Sequence, residues 1–459
     1  MPASPRSPRL PGHHEANLLR EVMDRLVHHD RLTNLLNRNE LLERLQHAID
    51  RAAHERSFGV LLLINLDDFS VLNNIRGHHV GDELLMAVAR RLRPLQRPGM
   101  LLARPGGDDF LIFLENQGTS QAVALARAQE TVRQALAQFE APFALEGGDY
   151  LCQVSVGIAL AGDGTITVDA ALKHAELAVL EAKRLGKNQA VVFDQRMEDA
   201  LRQRVEFEAA LRAAIPGQLV VYLQPQIDQA AGLTGAEVLV RWQHPERGMV
   251  PPAQFIPLAE ETGLIVPIGL WVVEATCRQL RRWEHDPALG HLVLAVNVSA
   301  REFSHPGYVQ QVQRVLAETG ANPERLKLEL TESVFAADVD EVIARMHQLQ
   351  SMGICFALDD FGTGFSSLSY LKRMPLDQLK IDQSFVRDVT EDPSDASIVR
   401  AVIALSEGLG LKVIAEGVET PAQRDMLVDY GCSHFQGYLF GRPLPVAEFE
   451  DQAARGFRI

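Results

Sequence analysis

The stretch "CFALDD", Cys355–Asp360, is an apolar run of strand length that ends in two adjacent carboxylates. An isolated run of this kind decides little, but seven others share its rhythm between Leu219 and the C-terminus. They are "VVYLQPQ" from Val220, "AEVLVRW" from Ala236, "LAVNVSA" from Leu294, "LKLELTE" from Leu326, "DQLKID" from Asp377, "KVIAEGVE" from Lys412 and "HFQGYLF" from His434. Helical stretches separate them. Six of the eight lead into a polar or charged group: Glu237, Asn297, Glu329, Asp359 with Asp360, Lys380 and Glu416, while Gln436 lies earlier in the last run. Eight strand–helix repeats with working residues at the carboxyl ends of the strands predict a TIM-like (β/α)8 barrel.

Five acids and an amide at one mouth repel one another unless positive charge lies between them. Oxygen ligands with no histidine or cysteine favour Mg2+ or Mn2+ over zinc. A pair of such ions is the usual apparatus for attack of water on a phosphodiester, and Lys380 is placed to hold the water or offset developing charge.

The rest of the chain bounds the other classes. Its 459 residues are 46% apolar, enough for two domains of unequal size. Lys and Arg number 45 against 60 Asp and Glu, a formal charge of −15 that disfavours non-specific contact with nucleic acid or anionic lipid. Cys152, Cys277, Cys355 and Cys432 are scattered without metal-ligand spacing and read as buried thiols of a reducing compartment. With no run long enough to span a membrane and no signal-peptide pattern, the expected location is cytoplasmic.

Residues 1–27 read as a Pro/Ser/Arg-rich disordered start and an amphipathic helix, either a lid on the next domain or a dimerising signalling helix. Residues 28–193 alternate apolar runs (Phe58–Ile64, Leu111–Leu114, Tyr150–Leu160, Ala190–Phe193) with periodic helical segments and predict an α+β sandwich. Residues 194–216 read as a linker helix and 217–459 as the barrel. The histidine pairs His28-His29 and His78-His79 read as solvated or helix-terminal rather than as metal sites.

From Leu219 on, "EVL" at Glu237 with Arg241, "NVS" at Asn297, "ELTES", "DDFGTGFSSLSYL", "LKID", "AEGVE" and "QGYLFGRPLP" resemble the EAL-type cyclic-di-GMP phosphodiesterases. The resemblance implies a TIM-like barrel with one antiparallel strand, two Mg2+ or Mn2+ ions, and hydrolysis of cyclic di-GMP to linear pGpG. It assigns the metals to Glu237, Asn297, Glu329, Asp359, Asp360 and Glu416, and places Lys380 and Gln436 beside the catalytic water. Glu332 would brace the loop from Asp360 to Ser367, with Gly362 and Gly364, and Gln224, Arg241 and Asp382 would contact substrate. Val238 stands where alanine is usual; strand alternation points it at the helices.

The first domain carries "HHDRLTNLLNR" from His28, "LDDFSVLNNIRGHHVGDELL" from Leu66, "RPGGDDF" from Arg104 and "AKRLGKN" from Ala182, and resembles the GGDEF domains, which condense two GTP into cyclic di-GMP. It departs from them where metal is held. Asn65 replaces an aspartate, the hairpin carboxylate is read as Asp108 in place of glutamate, and Ser70 replaces a lysine. The Arg-x-x-Asp of product inhibition is here Arg97-Pro98-Gly99-Met100. Asn73, Asp82, Gly106, Gly107, Asp108, Lys183 and Lys187 remain as a GTP grip. The resemblance therefore implies a degenerate GGDEF domain that binds GTP allosterically, an intact phosphodiesterase and a homodimer. A bifunctional enzyme with residual cyclase activity and a non-catalytic cyclic-di-GMP receptor are the alternatives.

Overall fold

The strand Phe58–Leu66 (β1) is buried along nearly its whole length, so both of its faces must be covered by helices. The computed structural model describes residues 27–162, 164, 166–336, 338–362 and 368–457. The expected disordered start and nearly all of the N-terminal helix lie outside them, as do Gly364 and Ser367. The chain divides into two compact units, Met1–Arg204 and Val205–Ile459.

In the first unit β1 pairs antiparallel with Asp109–Gly118 (β3) and Val154–Gly162 (β4). Met100–Gly106 (β2) and Ala190–Val192 (β5) complete the order β2-β3-β1-β4-β5. Side chains alternate across β1. Val60, Leu62, Ile64 and Leu66 share one core with Leu84 and Val88 of the helix His78–Leu92. Leu61 and Leu63 share the other with Leu41 and Leu45 of Arg38–Glu55 and Ala175 of Val168–Arg184. The sequence run Tyr150–Leu160 divides in two: a short hairpin strand ends at Tyr150, and β4 begins at Val154.

The helix Gln195–Ala214 carries the chain into the second unit, where its last residues Leu211 and Ala214 are fully buried in the barrel core. Of the ten strands of the sheet that follows, eight build the barrel: Leu219–Asp228 (β6), Gly232–His244 (β7), Val293–Val298 (β8), Leu326–Thr331 (β9), Cys355–Phe361 (β10), Gln378–Ile381 (β11), Lys412–Ala415 (β12) and His434–Gln436 (β13). Neighbours from β7 to β13 run parallel, whereas β6 is antiparallel to both β7 and β13 and closes the barrel between them. One reversed strand in a TIM-like barrel is the architecture expected from the sequence. All six parallel ladders point the same way, so the carboxyl ends of these strands gather at one rim. Among the described residues no helix is long and apolar enough to cross a membrane.

The pairing of β7 with β8 brings backbones close at Gly235, where a Cβ would lie 2.4 Å from the carbonyl oxygen of Val293 on β8. Gly235→Ala is expected to destabilise the barrel by about 1–3 kcal/mol in urea unfolding. Gly217→Ala, at a position with nothing within 4 Å, should change it by less than about 0.5 kcal/mol.

Candidate active site at the barrel mouth

Lys380, on β11, is 1% exposed, and its ammonium is held by acids from three other strand ends. Nζ lies 2.5 Å from Glu329 Oε2, 2.6 Å from Glu416 Oε1 and 3.1 Å from Asp359 Oδ1. Burial pushes its pKa down, but Glu329, Glu416, Glu237 and Asp359 outweigh burial and hold the ammonium well above its ordinary range. Acids in excess of one cation carry the opposite cost. Burial, with Glu237 and Asp359 nearby, pushes Glu329 up to about 7 against the pull of Lys380. Burial likewise raises Glu416 well above the usual carboxylate range, and burial followed by Asp359 raises Asp360 to about 6. Asp382 goes the other way, because hydrogen bonds from the Ser384 hydroxyl and amide outweigh its burial.

These residues fit a hard divalent cation. Asp359, Asp360 and Glu416 each bring a ligand oxygen within 4.8 Å of the others. Glu329 Oε1 is buried with no hydrogen-bond partner, an acceptor left open in a site made of oxygens. Glu329, Glu237 and Asn297 adjoin this trio and extend the donor set without adding nitrogen or sulfur.

A second group is built from amides. Register places Gln224 opposite Glu237 and Gln436 opposite Gln226. Asn297 Nδ2 donates to Glu237 Oε1 at 2.5 Å, and Gln436 Nε2 donates to Glu237 Oε2 and, at 3.1 Å, to Gln224 Oε1. Gln224, Glu237, Glu416, Gln436 and Tyr438 line a cavity of about 350 Å³ here. A second, apolar cavity of about 470 Å³ lies beside Asn297 and Glu329, walled by Ile256, Ile268 and Val272.

The remaining expected residues surround this centre. Glu332 Oε1 accepts from the Gly362 amide at 3.2 Å, at the edge of the glycine-bearing loop, of which residues 363–367 lie outside the described set. Asp360 holds φ +53°, the left-handed region, which a non-glycine residue adopts at a cost and which here turns the backbone straight after Asp359. Arg241 lies farther along β7 than Glu237, with its guanidinium 5.5 Å from the Tyr222 ring centroid. Val238 is buried in the core between barrel and helices.

In the first unit, the tip between β2 and β3 is a tight turn with Gly107 at φ +55°. Arg104 donates to the Gly107 carbonyl at 2.6 Å and to Asp30 at 3.1 Å, fastening the tip to the start of the domain. Asn65 is paired in register with Asp109 and donates to its carboxylate at 2.8 Å. The carboxylate that meets Asn65 is therefore Asp109, and not Asp108, the residue singled out from the sequence. An odd-numbered step along the strand exchanges the two faces. Asp67 is buried and occupied by the Ser155 hydroxyl at 2.8 Å. Asn73 has a buried Oδ1 with no partner, Asp82 is exposed, and Lys187 is 2.7 Å from Asp68. Lys183 is half-buried, and Arg97 donates to Thr131.

The family model described as "EAL domain" matches residues 208–443, more than half of the chain. The chain belongs to the EAL family. A second model, "Diguanylate cyclase, GGDEF domain", matches residues 27–189, so the protein is a GGDEF–EAL tandem. It is 40% identical over 92% of its length to the bifunctional diguanylate cyclase/cyclic di-GMP phosphodiesterase MucR of Pseudomonas aeruginosa. It is 38% identical over 93% of its length to the cyclic di-GMP phosphodiesterase PdeR of Escherichia coli. The chain spans 61% and 63% of those two proteins. A solved structure described as PaMucR phosphodiesterase in complex with c-di-GMP aligns with 54% of this chain and 99% of its own, at 44% identity and a TM-score of 0.51.

Three residues, one in the EAL domain and two in the GGDEF domain, escape a reading of the sequence. Gln226 is 3% exposed and donates to Gln436 Oε1 at 3.0 Å. Its spacing of two from Gln224 is the signal, since i and i+2 share a strand face. Arg104 and Asp30 are far apart in sequence, and nothing local links them.

The turn after Asn297 is set by a capping box. Ser299 N and Oγ both donate to Glu302 Oε2, at 2.9 and 2.5 Å. Burial pushes Glu302 up to about 7, with Glu260 adding and the Ser299 bonds opposing. A carboxyl raised in the folded state loses stability as pH climbs from its unfolded value near 4.5 toward 7, because the unfolded chain releases the proton first. Glu302→Gln keeps the accepting oxygen and removes this loss. It should leave stability near pH 4.5 unchanged and raise it at pH 8 by up to about 3 kcal/mol, read from denaturant unfolding at the two pH values.

Proposed function

We propose that the EAL barrel hydrolyses cyclic di-GMP to linear pGpG, and that the GGDEF domain has lost synthesis and binds GTP as a regulator. The observation that carries the first part is the convergence of Glu329, Asp359 and Glu416 on the buried Lys380 ammonium, with Asp360 in the same acid cluster and Glu237 bonded to Asn297 at the same mouth. The names of MucR and PdeR and the c-di-GMP complex of the PaMucR structure support it.

Glu237, Asn297, Glu329, Asp359, Asp360 and Glu416 would hold two Mg2+ or Mn2+ ions. When bound, such ions activate water and neutralise charge on the phosphodiester. The chain's own residues prepare the site for that. Lys380 keeps Glu329, Asp359 and Glu416 together and sets a fixed positive charge beside the reacting phosphate. Gln436 and Asn297 hold the two oxygens of Glu237 in one orientation. The exposed Tyr438 and the apolar cavity beside Asn297 offer faces to the guanine bases. The reaction consumes one water, breaks one P–O bond of the cyclic ring and leaves a 5′-phosphate on the linear dinucleotide.

Purified protein with cyclic di-GMP and Mg2+ or Mn2+ is expected to yield pGpG by chromatography, and Glu237→Ala to lower kcat by roughly two to three orders of magnitude. Ca2+ should not support turnover, because its larger, looser coordination misplaces the water. A wild type that binds cyclic di-GMP without forming pGpG is a receptor.

The second part rests on Asn65, an amide at a position where a metal calls for a carboxylate, bonded to a shortened Asp109. Asp82 and Asn73 remain for guanine, and a carboxylate that accepts from guanine N–H groups meets a lone pair on adenine. Calorimetry is expected to show GTP binding much tighter than ATP binding, weakened by Asp82→Ala, with GTP raising the hydrolysis rate. With Glu237→Ala preventing breakdown, GTP should give no cyclic di-GMP. Cyclic di-GMP formed in that variant would establish the bifunctional reading instead.

A further inference from the structure

The three glutamines at the closure of the barrel make a directed chain. Gln226 Nε2 donates to Gln436 Oε1 at 3.0 Å, and Gln436 Nε2 donates onward to Gln224 Oε1 and to Glu237 Oε2. Gln224 Nε2 in turn donates to the Gly441 carbonyl at 3.4 Å, which fixes the sense of its own amide. Gln226, Gln436 and Gln224 are 3%, 4% and 9% exposed, so water does not substitute freely for a missing partner.

We propose that Gln226 is a positioning residue that fixes which end of the Gln436 amide faces Glu237. A primary amide has a donor end and an acceptor end of nearly equal size, so packing alone does not choose between them. Turned over, Gln436 would set its oxygen against the Glu237 carboxylate and the Gln224 oxygen, and its NH2 against the NH2 of Gln226. The Glu237 side favours the observed sense. Gln226 closes the other side by satisfying a carbonyl that would otherwise be buried without a donor. Register makes this possible: β6 is the reversed strand, and its residue 226 lies directly across from residue 436 on β13. The consequence for turnover rests on the phosphodiesterase reading above; the direction of the amide does not.

Two variants separate direction from packing. Gln226→Leu removes the donor at similar volume. Gln226→Glu keeps the shape and presents oxygens, which favours the overturned Gln436. The direct measurement uses full-length, metal-free protein labelled with 15N-glutamine, the Gln436 side-chain signals being identified by their loss in Gln436→Glu. Slow solvent exchange of the Gln436 NH2 is expected in the wild type, with at least about tenfold faster exchange in Gln226→Leu and a larger change in Gln226→Glu. In hydrolysis assays kcat should fall about tenfold in Gln226→Leu and further in Gln226→Glu, with KM within about twofold.

Unchanged Gln436 exchange in both variants would overturn the proposal, since Glu237 and Gln224 would then hold the amide unaided. Equal changes of exchange and kcat in Gln226→Leu and Gln226→Glu would also overturn it, by showing a packing role. A wild type without pGpG defeats the hydrolytic reading alone, and the exchange measurement then decides the amide direction by itself.

Discussion

The arrangement at the barrel mouth depends on one buried ammonium. Lys380 has three N–H donors and three carboxylate partners, each from a different strand or strand end. An isolated lysine at 1% exposure would shed its proton, and isolated acids in its place would take one up. Together they hold a pattern that neither side could hold alone, and the acids still outnumber the cation. That surplus shows in the raised Glu329, Asp360 and Glu416, and in the partnerless Glu329 oxygen. The barrel brings these groups within bonding distance because six parallel ladders deliver their strand ends to one rim.

The GGDEF domain shows the opposite treatment of a similar problem. At the end of β1 the sequence has Asn65 in a place where the resemblance implies an acid, and the amide satisfies Asp109 directly. A carboxylate beside Asp109 would repel it and call for a cation, whereas Asn65 supplies the missing positive end itself. Asp67 is likewise already occupied, by Ser155 and the Asn188 amide. Asp109 is nonetheless raised by burial, with Asp108 adding, and Asn65 Oδ1 is buried without a partner.

Much of this was readable from residues. Asn297, Glu329, Asp359, Lys380 and Glu416 each lie at or near the end of a short apolar strand, whereas Glu237 lies inside a longer one, so a local pattern repeated along the chain announces the barrel and most of its mouth. What was not readable is pairing across strands. The hairpin carboxylate opposite Asn65 is set by the register of β1 on β3, and a shift of one residue separates Asp109 from Asp108. Gln226 shares a strand face with Gln224, but its pairing with Gln436 follows only once β6 is known to run against β13. Arg104 finds Asp30 only once the tip of β2 has folded back over the start of the domain.

The central claim is that the acids gathered by Lys380 await divalent cations. Calorimetric titration of the metal-free protein with Mn2+ tests it most directly, comparing wild type with Asp359→Asn so that heat from the GGDEF domain cancels. The account predicts Mn2+ uptake by the wild type that is lost or greatly weakened in Asp359→Asn. Identical titrations of the two proteins, or no uptake by either, would contradict it.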